Sequence, residues 1–287
     1  MDRKSFLKKG LLGVGALATA PALAAAGSTS TPTPNLVGFN HLPNPADKRM
    51  ASTVLHLAQT RGRADHGWLQ SHHTFSFANY FNPERMSFGV LRVLNDDCVA
   101  GGQGFGTHPH DNMEIISIPL EGDLEHQDNM GNKAVIRRGD VQVMSAGTGV
   151  YHSEYNRNTD QLVKFLQIWV YPNKKNVRPR YDQITLDPAG RHNKLQQILS
   201  PSADDAGVWI HQDAWFHMGK FDAGFRQAYD LKKAGNGVYV FVLSGKVTVD
   251  GQTLGPRDGY GLWDTNRIAM QADTPAEVLL MEVPMLG

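Results

Sequence analysis

The chain has 287 residues, with 28 Lys+Arg balancing 28 Asp+Glu, twelve His and a single Cys. The even charge excludes the surplus of Lys and Arg on which affinity for a phosphate backbone rests, so no nucleic-acid partner is expected. One cysteine, Cys98, excludes a disulfide framework, Cys-based zinc sites and iron–sulfur clusters.

The first nine residues carry Arg3, Lys4, Lys8 and Lys9 against Asp2, and residues 10–20 are apolar but rich in Gly and Ala. The string PALA at 21–24 then offers a small-x-small cleavage site, which completes the layout of a bacterial export signal. The apolar run is too short to span a bilayer, which takes about 20 residues. RKSFLK at 3–8 is similar to the twin-arginine export motif, with Lys4 in place of the second arginine. Residues 1–26 are therefore expected to be a twin-arginine-like signal peptide, and residues 27–52, rich in Gly, Ser, Thr and Pro, a flexible linker. The mature protein is expected to be periplasmic, free of the membrane after cleavage, and monomeric.

From residue 53 the chain reads as short β-branched runs separated by Gly, Asn and Asp, the pattern of sandwiches and barrels. Strands are predicted at 87–94, 114–119, 140–145, 165–171, 239–243, 246–250 and 278–283. No stretch sustains a helical period, and residues 204–216 fit a short helix or a strand equally well. The order strand, Glu-Gly turn, strand, turn and Arg-Gly-Asp at 115–140 returns about 120 residues later as strand, Ser-Gly turn, strand, turn and Arg-Asp-Gly at 239–259. A period of that size means two copies of a domain rather than a solenoid. The seam falls at 181–187, after the Pro/Arg-rich link 172–180, dividing the chain into residues 53–183 and 184–287. The fold class is all-β.

Histidine carries the chemistry. In GQGFGTHPHDNMEIISIPLEG (102–122), His108 and His110 are two apart, so on a strand they point to one face. Glu114 shares their parity if the strand runs on. In GDVQVMSAGTGVYHSEYN (139–156), His152 and Glu154 repeat the spacing. Three imidazoles and one carboxylate would leave positions open on a six-coordinate ion, and such ligands suit Fe, Mn, Co, Ni, Cu or Zn rather than Ca or Mg. One ion seldom needs five protein side chains, so Glu114 is expected to support the site from outside it. His66, His72 and His73 sit among aromatics and read as core or pocket-wall residues. His126 flanks a turn and reads as a solvated or supporting group. Nothing basic lies close to Cys98 in sequence, so its thiol is expected to be inert.

These two segments resemble the two cupin motifs, matching at Gly102, His108, His110, Glu114, Gly139, Gly147, His152 and Asn156. The chain departs by one extra residue before Gly122, by Ser145 where the motif has Pro, and by two extra residues before His152. With HGWL, HTFSFANY, LRVLNDD and HPHDNMEI, those departures resemble the pirin family, a branch with two cupin jelly-roll barrels, across roughly residues 53–287. The resemblance is closest to bacterial members with quercetin 2,3-dioxygenase activity. It implies a metal held by His108, His110, His152 and Glu154, with Fe(II) first among the candidates and Glu114 outside the ligand set. It further implies a flavonol-like aromatic substrate, O2 as co-substrate, ring opening with release of carbon monoxide, and Glu154 as the base that takes the flavonol proton. Eukaryotic pirins, iron-dependent partners of nuclear transcription regulators, supply the other reading: a noncatalytic metal-binding protein acting as a metal or redox sensor or as a protein-interaction module. No histidine follows His217, so the second domain is expected to lack a metal site and to serve as packing partner and pocket wall.

Overall fold

The computed structural model describes residues 51–286. The expected signal peptide and nearly all of the expected linker lie outside the described residues. The chain is almost entirely β, built as two sandwiches that each pair a seven-stranded sheet with a four-stranded one. The only helical pieces among the described residues are single 3-10 turns at Ala58–Thr60 and Pro188–Arg191. None is long and apolar enough to cross a membrane. The undecided stretch 204–216 forms the two-residue strand Val208–Trp209 and the start of the strand Trp215–Phe221.

The repeat in the sequence is a repeat in the fold. In the first large sheet, Glu114–Glu121 lies between Asp140–Ser145 and Val163–Val170; in the second, Asn236–Ser244 lies between Gly259–Trp263 and Ala276–Pro284. Each central strand ends in a left-handed glycine, Gly122 or Gly245, whose positive φ turns the chain into the small sheet. The two large sheets pack on each other and bury both of their faces, which is why EIISIPL and VYVFVLS are mostly apolar and lack the alternation of a half-exposed strand. Even positions Ile116 and Ile118 meet Tyr239, Phe241 and Leu279 across the domain interface. Odd positions such as Ile115 pack inside the first sandwich with Phe105, Leu124 and Phe165. Each such side chain contributes about 1.5–3 kcal/mol on full burial.

Two edge strands are exchanged. Ser52–His56, which precedes the first sandwich, pairs antiparallel with Gly259–Trp263 in the second. Arg180–Thr185, which precedes the second, pairs with Asp140–Ser145 in the first. The sequence placed the start of the first domain at residue 53 and the boundary at 183/184. The pairing instead puts residues 52–56 in the second domain's sheet and runs a first-domain strand across the boundary. Exchange covers two sheet edges that would otherwise present open hydrogen-bonding groups. An ion cluster locks the interface, with Asp96 accepting from Arg257 Nε at 2.7 Å and Arg61 Nη1 at 3.5 Å. The run predicted at 87–94 starts late: the strand is Leu91–Val99, because Phe88 and Leu91 first close a tight turn around Gly89.

Candidate metal centre

The first small sheet builds the site. Gly104–His110 and Val150–Asn156 pair antiparallel with His108 opposite His152. His108, His110 and His152 all point into the sandwich, with ring centroids 4.4 to 4.9 Å apart. Their ligating nitrogens lie within 4.8 Å of one another, and all three side chains are buried. One glycine lets the two strands pair this closely, and a second shapes the turn that leads into Val150–Asn156. A side chain on Gly104 would strike the Glu154 backbone, and one on Gly147, already at φ 47°, would strike the Val177 carbonyl.

The protonation pattern suits a cation. Burial is the main force holding all three imidazoles below their ordinary pKa, so they are neutral and keep a lone pair each. The Gly106 carbonyl, 2.7 Å from His108 Nδ1, can only accept, which puts the proton on Nδ1 and frees Nε2. His152 Nε2 is buried with no hydrogen-bond partner, an unusual state for a polar atom unless it faces a ligand.

Behind His152 stands a pair of which the sequence pointed to His126 alone. His126, expected to be supporting or solvated, is fully buried. Its Nε2 lies 3.2 Å from Asp128 Oδ2 and its Nδ1 3.4 Å from His152 Nδ1. Asp128 is fixed by the backbone N–H groups of Met130 and Asn132 and by Asn132 Nδ2. With His126 donating to Asp128, its Nδ1 accepts from His152, and His152 Nε2 is left bare for an ion; such outer partners fix tautomer and orientation. The available signal was parity: His126 and Asp128 alternate on Asp123–Asp128, and Asp128 lies opposite His152.

Glu154 is buried beside this cluster, within 4.8 Å of donor atoms of His152 and His126. Its Oε1 accepts from Ser117 Oγ at 3.0 Å and its Oε2 from Gln167 Nε2 at 2.7 Å. Burial raises its pKa to about 7 against the pull of those two donors. A carboxylate has about four lone-pair sites, so two hydrogen bonds leave capacity for an ion.

Glu114 does not follow the parity expected of it. Asn112 turns left-handed at φ 44°, the strand ends at His110, and a new strand begins at Glu114 in the large sheet. The Glu114 carboxylate therefore faces the domain interface, where Ser145 Oγ donates to it at 2.6 Å and burial lifts its pKa to about 7. His73 is a core residue against Phe77 and Tyr80, and burial lowers it to about 4. His72 is half-buried on the same strand, and neither belongs to the cluster. Burial raises the Cys98 thiol above its ordinary pKa, in keeping with an inert group.

His108, His110 and Glu154 open onto a cavity of about 20 Å³ walled by Phe77, Phe105 and Trp169, with Ser71, Asn95, Asp97 and Gln167 as its other polar groups. Asp97 was not singled out in the sequence. It is fully buried, accepts from Ser71 Oγ, and is raised to about 7, first by burial and then by the nearby charges of Asp96 and Glu154.

Two jelly-roll-like sandwiches with, among the described residues, one buried three-histidine cluster define a two-domain cupin. Residues 54–170 match the Pirin family model, and residues 197–283 match the model of the quercetinase C-terminal cupin domain. A quercetin 2,3-dioxygenase of Escherichia coli K12 is 44% identical over 230 residues, covering 80% of this chain and 98% of that one. A pirin-like protein of Caulobacter vibrioides is 40% identical over 222 residues, 77% of this chain and 95% of its own. The crystal structure of the Escherichia coli bacterial pirin YhhW in complex with nickel(II) superposes with a TM-score of 0.77 at 42% identity, covering 82% of this chain and all of that one. The chain belongs to the pirin family.

Proposed function

We propose that the protein is a metal-dependent dioxygenase that opens the heterocyclic ring of a flavonol such as quercetin with O2 and releases carbon monoxide. The observation that carries this reading is the buried trio of neutral imidazoles with a carboxylate beside it, on the aromatic-walled cavity. The kinship supports it: relatives carry the quercetin 2,3-dioxygenase name, and one was crystallised with nickel(II). His108, His110, His152 and Glu154 would hold one divalent ion, Fe(II) as the native choice, with Ni, Co, Mn, Cu and Zn as alternatives. Bound there, such an ion supplies Lewis acidity and redox chemistry.

The protein's own groups do the rest. Glu154 accepts the proton of the flavonol 3-hydroxyl, while Ser117 and Gln167 hold its oxygens in place. Phe77, Phe105 and Trp169 pack the aromatic substrate and keep water out. A cavity of about 20 Å³ has room for a water molecule or two but not for a flavonol, so these rings must part on binding. That closed state also favours the second reading, a metal or redox sensor reached by O2 alone. Oxygen uptake and carbon monoxide release with quercetin across Fe, Ni, Co, Mn and Cu loadings separate the two. Matched turnover in Glu154→Gln would remove Glu154 as base, since losing a general base typically costs about 10²–10⁴ in rate.

We further propose export to the periplasm with removal of residues 1–26, leaving a monomer. Basic Arg3 and Lys4, the apolar run and the PALA site support it. The amino terminus of periplasmic protein should fall within residues 25–31; intact Met1 in a cytosolic fraction would refute it.

A further inference from the structure

A second recess lies where the two sandwiches meet, on the far side of the central strand from the metal cluster. Ser117 of Glu114–Glu121 points inward to Glu154, whereas Ile118 belongs to the interdomain core and lines the recess. Its volume is about 100 Å³, five times that of the metal cavity, and its floor is Ile118, Leu186, Met218 and Leu243. An apolar cavity of roughly 150 Å³ encloses benzene whole, so this smaller space, open at one side, takes a single ring or a branched chain with part of it outside.

The rim is charged, and unevenly so. Arg138, Arg191 and Arg257 face Asp140 and Glu277 across it. Asp140 is already engaged, accepting from the Arg137 N–H, Gln183 Nε2 and Thr185 Oγ1 at 2.8, 3.0 and 2.6 Å. Glu277 reaches Arg138 only at 4.0 Å, too long for a hydrogen bond. Arg257 is held rigidly, giving Nε to Asp96 and Nη1 to the Leu243 carbonyl, with its backbone at φ 68°. Arg191, at the end of the 3-10 turn Pro188–Arg191, has no hydrogen-bond or ion-pair partner among the described residues. An apolar floor under an unmatched guanidinium is complementary to one kind of molecule.

We propose that this recess is a binding site for a small apolar carboxylate, its ring or branched chain on the Met218–Leu243 floor and its carboxylate on the fork of Arg191, with Arg138 alongside. Domain interfaces are frequent places for such sites, and a guanidinium fork matches a planar carboxylate with two parallel hydrogen bonds. The site does not depend on the metal or on the flavonol reading.

Benzoate is the probe, titrated calorimetrically into the full chain, with benzamide and sulfate as its uncharged and ring-free counterparts. Saturable one-to-one binding of benzoate is expected, with a shift of the Met218 methyl resonance in labelled protein. Benzamide and sulfate should bind about tenfold more weakly or worse, because each lacks half of the complement. Arg191→Gln should weaken benzoate by about tenfold or more, the loss expected for a charge-assisted pair, without moving the melting temperature. Arg191→Lys should recover part of that loss. His108→Ala, made to empty the metal cluster, should leave benzoate affinity unchanged; if affinity falls with the metal, the carboxylate sits on the ion and the proposal is wrong. Absence of saturation, or equal affinity in Arg191→Gln and the parent, overturns it as well.

Discussion

The two sandwiches share strand order and differ in what fills them. In the first, the small sheet sends His108, His110, His126, His152 and Glu154 into the interior. In the second, the matching strands Arg226–Asp230, Val247–Val249 and Arg267–Ala272 send in Tyr229, Val247, Val249, Ile268 and Met270, which close an apolar core with Phe221 and Val240. Most buried polar groups of that second half are paired, the exceptions among the described residues being His217 Nδ1 and Gln196 Oε1. Glu282 accepts from Tyr229, the backbone N–H groups of Lys232 and Lys233, and Asn236. The first half instead leaves His152 Nε2, Asn95 Oδ1 and Trp169 Nε1 buried without partners. Unsatisfied buried polar atoms thus concentrate in the half that holds the histidine cluster, while the matching sheet of its twin fills with apolar side chains. Stability and chemistry are divided between copies.

If that division is real, damage to each half should have a different readout. His152→Ala removes the imidazole at the centre of the cluster and should lower metal affinity by more than about 100-fold, since even outer partners typically account for 10–100-fold. Metal content after dialysis measures it, and a normal melting temperature in the metal-free state would show that the loss is local. Ile268→Ala, in the matching strand of the second sandwich, should do the reverse. It should cost about 2–5 kcal/mol of stability by opening a cavity, while metal content per folded molecule stays at the parent's level. Metal loss in this variant without unfolding would break the comparison.

A subtler contrast concerns the strands that pass through the middle of each large sheet. Asn236 opens one and Glu114 the other. Burial raises Glu114 from 4.5 to about 7, so the folded protein holds its proton more tightly than the unfolded chain does. Its neutral form favours folding fully below about pH 4.5, and that contribution is lost as the pH rises through about 7. Glu114→Gln should therefore leave stability unchanged at pH 4 and add up to about 3 kcal/mol at pH 8, as read from denaturant midpoints. A gain at pH 4 equal to that at pH 8 would rule out the carboxyl as the cause. The smallest change expected is in Asp128→Asn. Weakening the acceptor behind His126 should reduce metal affinity by about 10–100-fold with little effect on folding, and an unaltered affinity would show that His152 is oriented without it.

The sequence alone determined what is local and periodic. Spacing of two put His108 with His110 on one face, and glycine-marked turns announced Glu114–Glu121 and Asn236–Ser244 together with their repetition. The tertiary structure decided everything that depends on which strand lies next to which. Ser52–His56 is an ordinary short strand until it pairs with Gly259–Trp263, about 200 residues away. Glu114 keeps the parity of His110 on paper and loses it at Asn112, because one left-handed residue moves the chain into another sheet. His126 and Asp128 acquire their role only from the register that sets Asp128 opposite His152, and Asp97 only because its face of Leu91–Val99 closes over Glu154. Side-chain alternation is a property of one strand, whereas hydrogen bonds, burial and cavities are properties of pairs of strands. Pairing is chosen by the whole core, which no window of sequence contains.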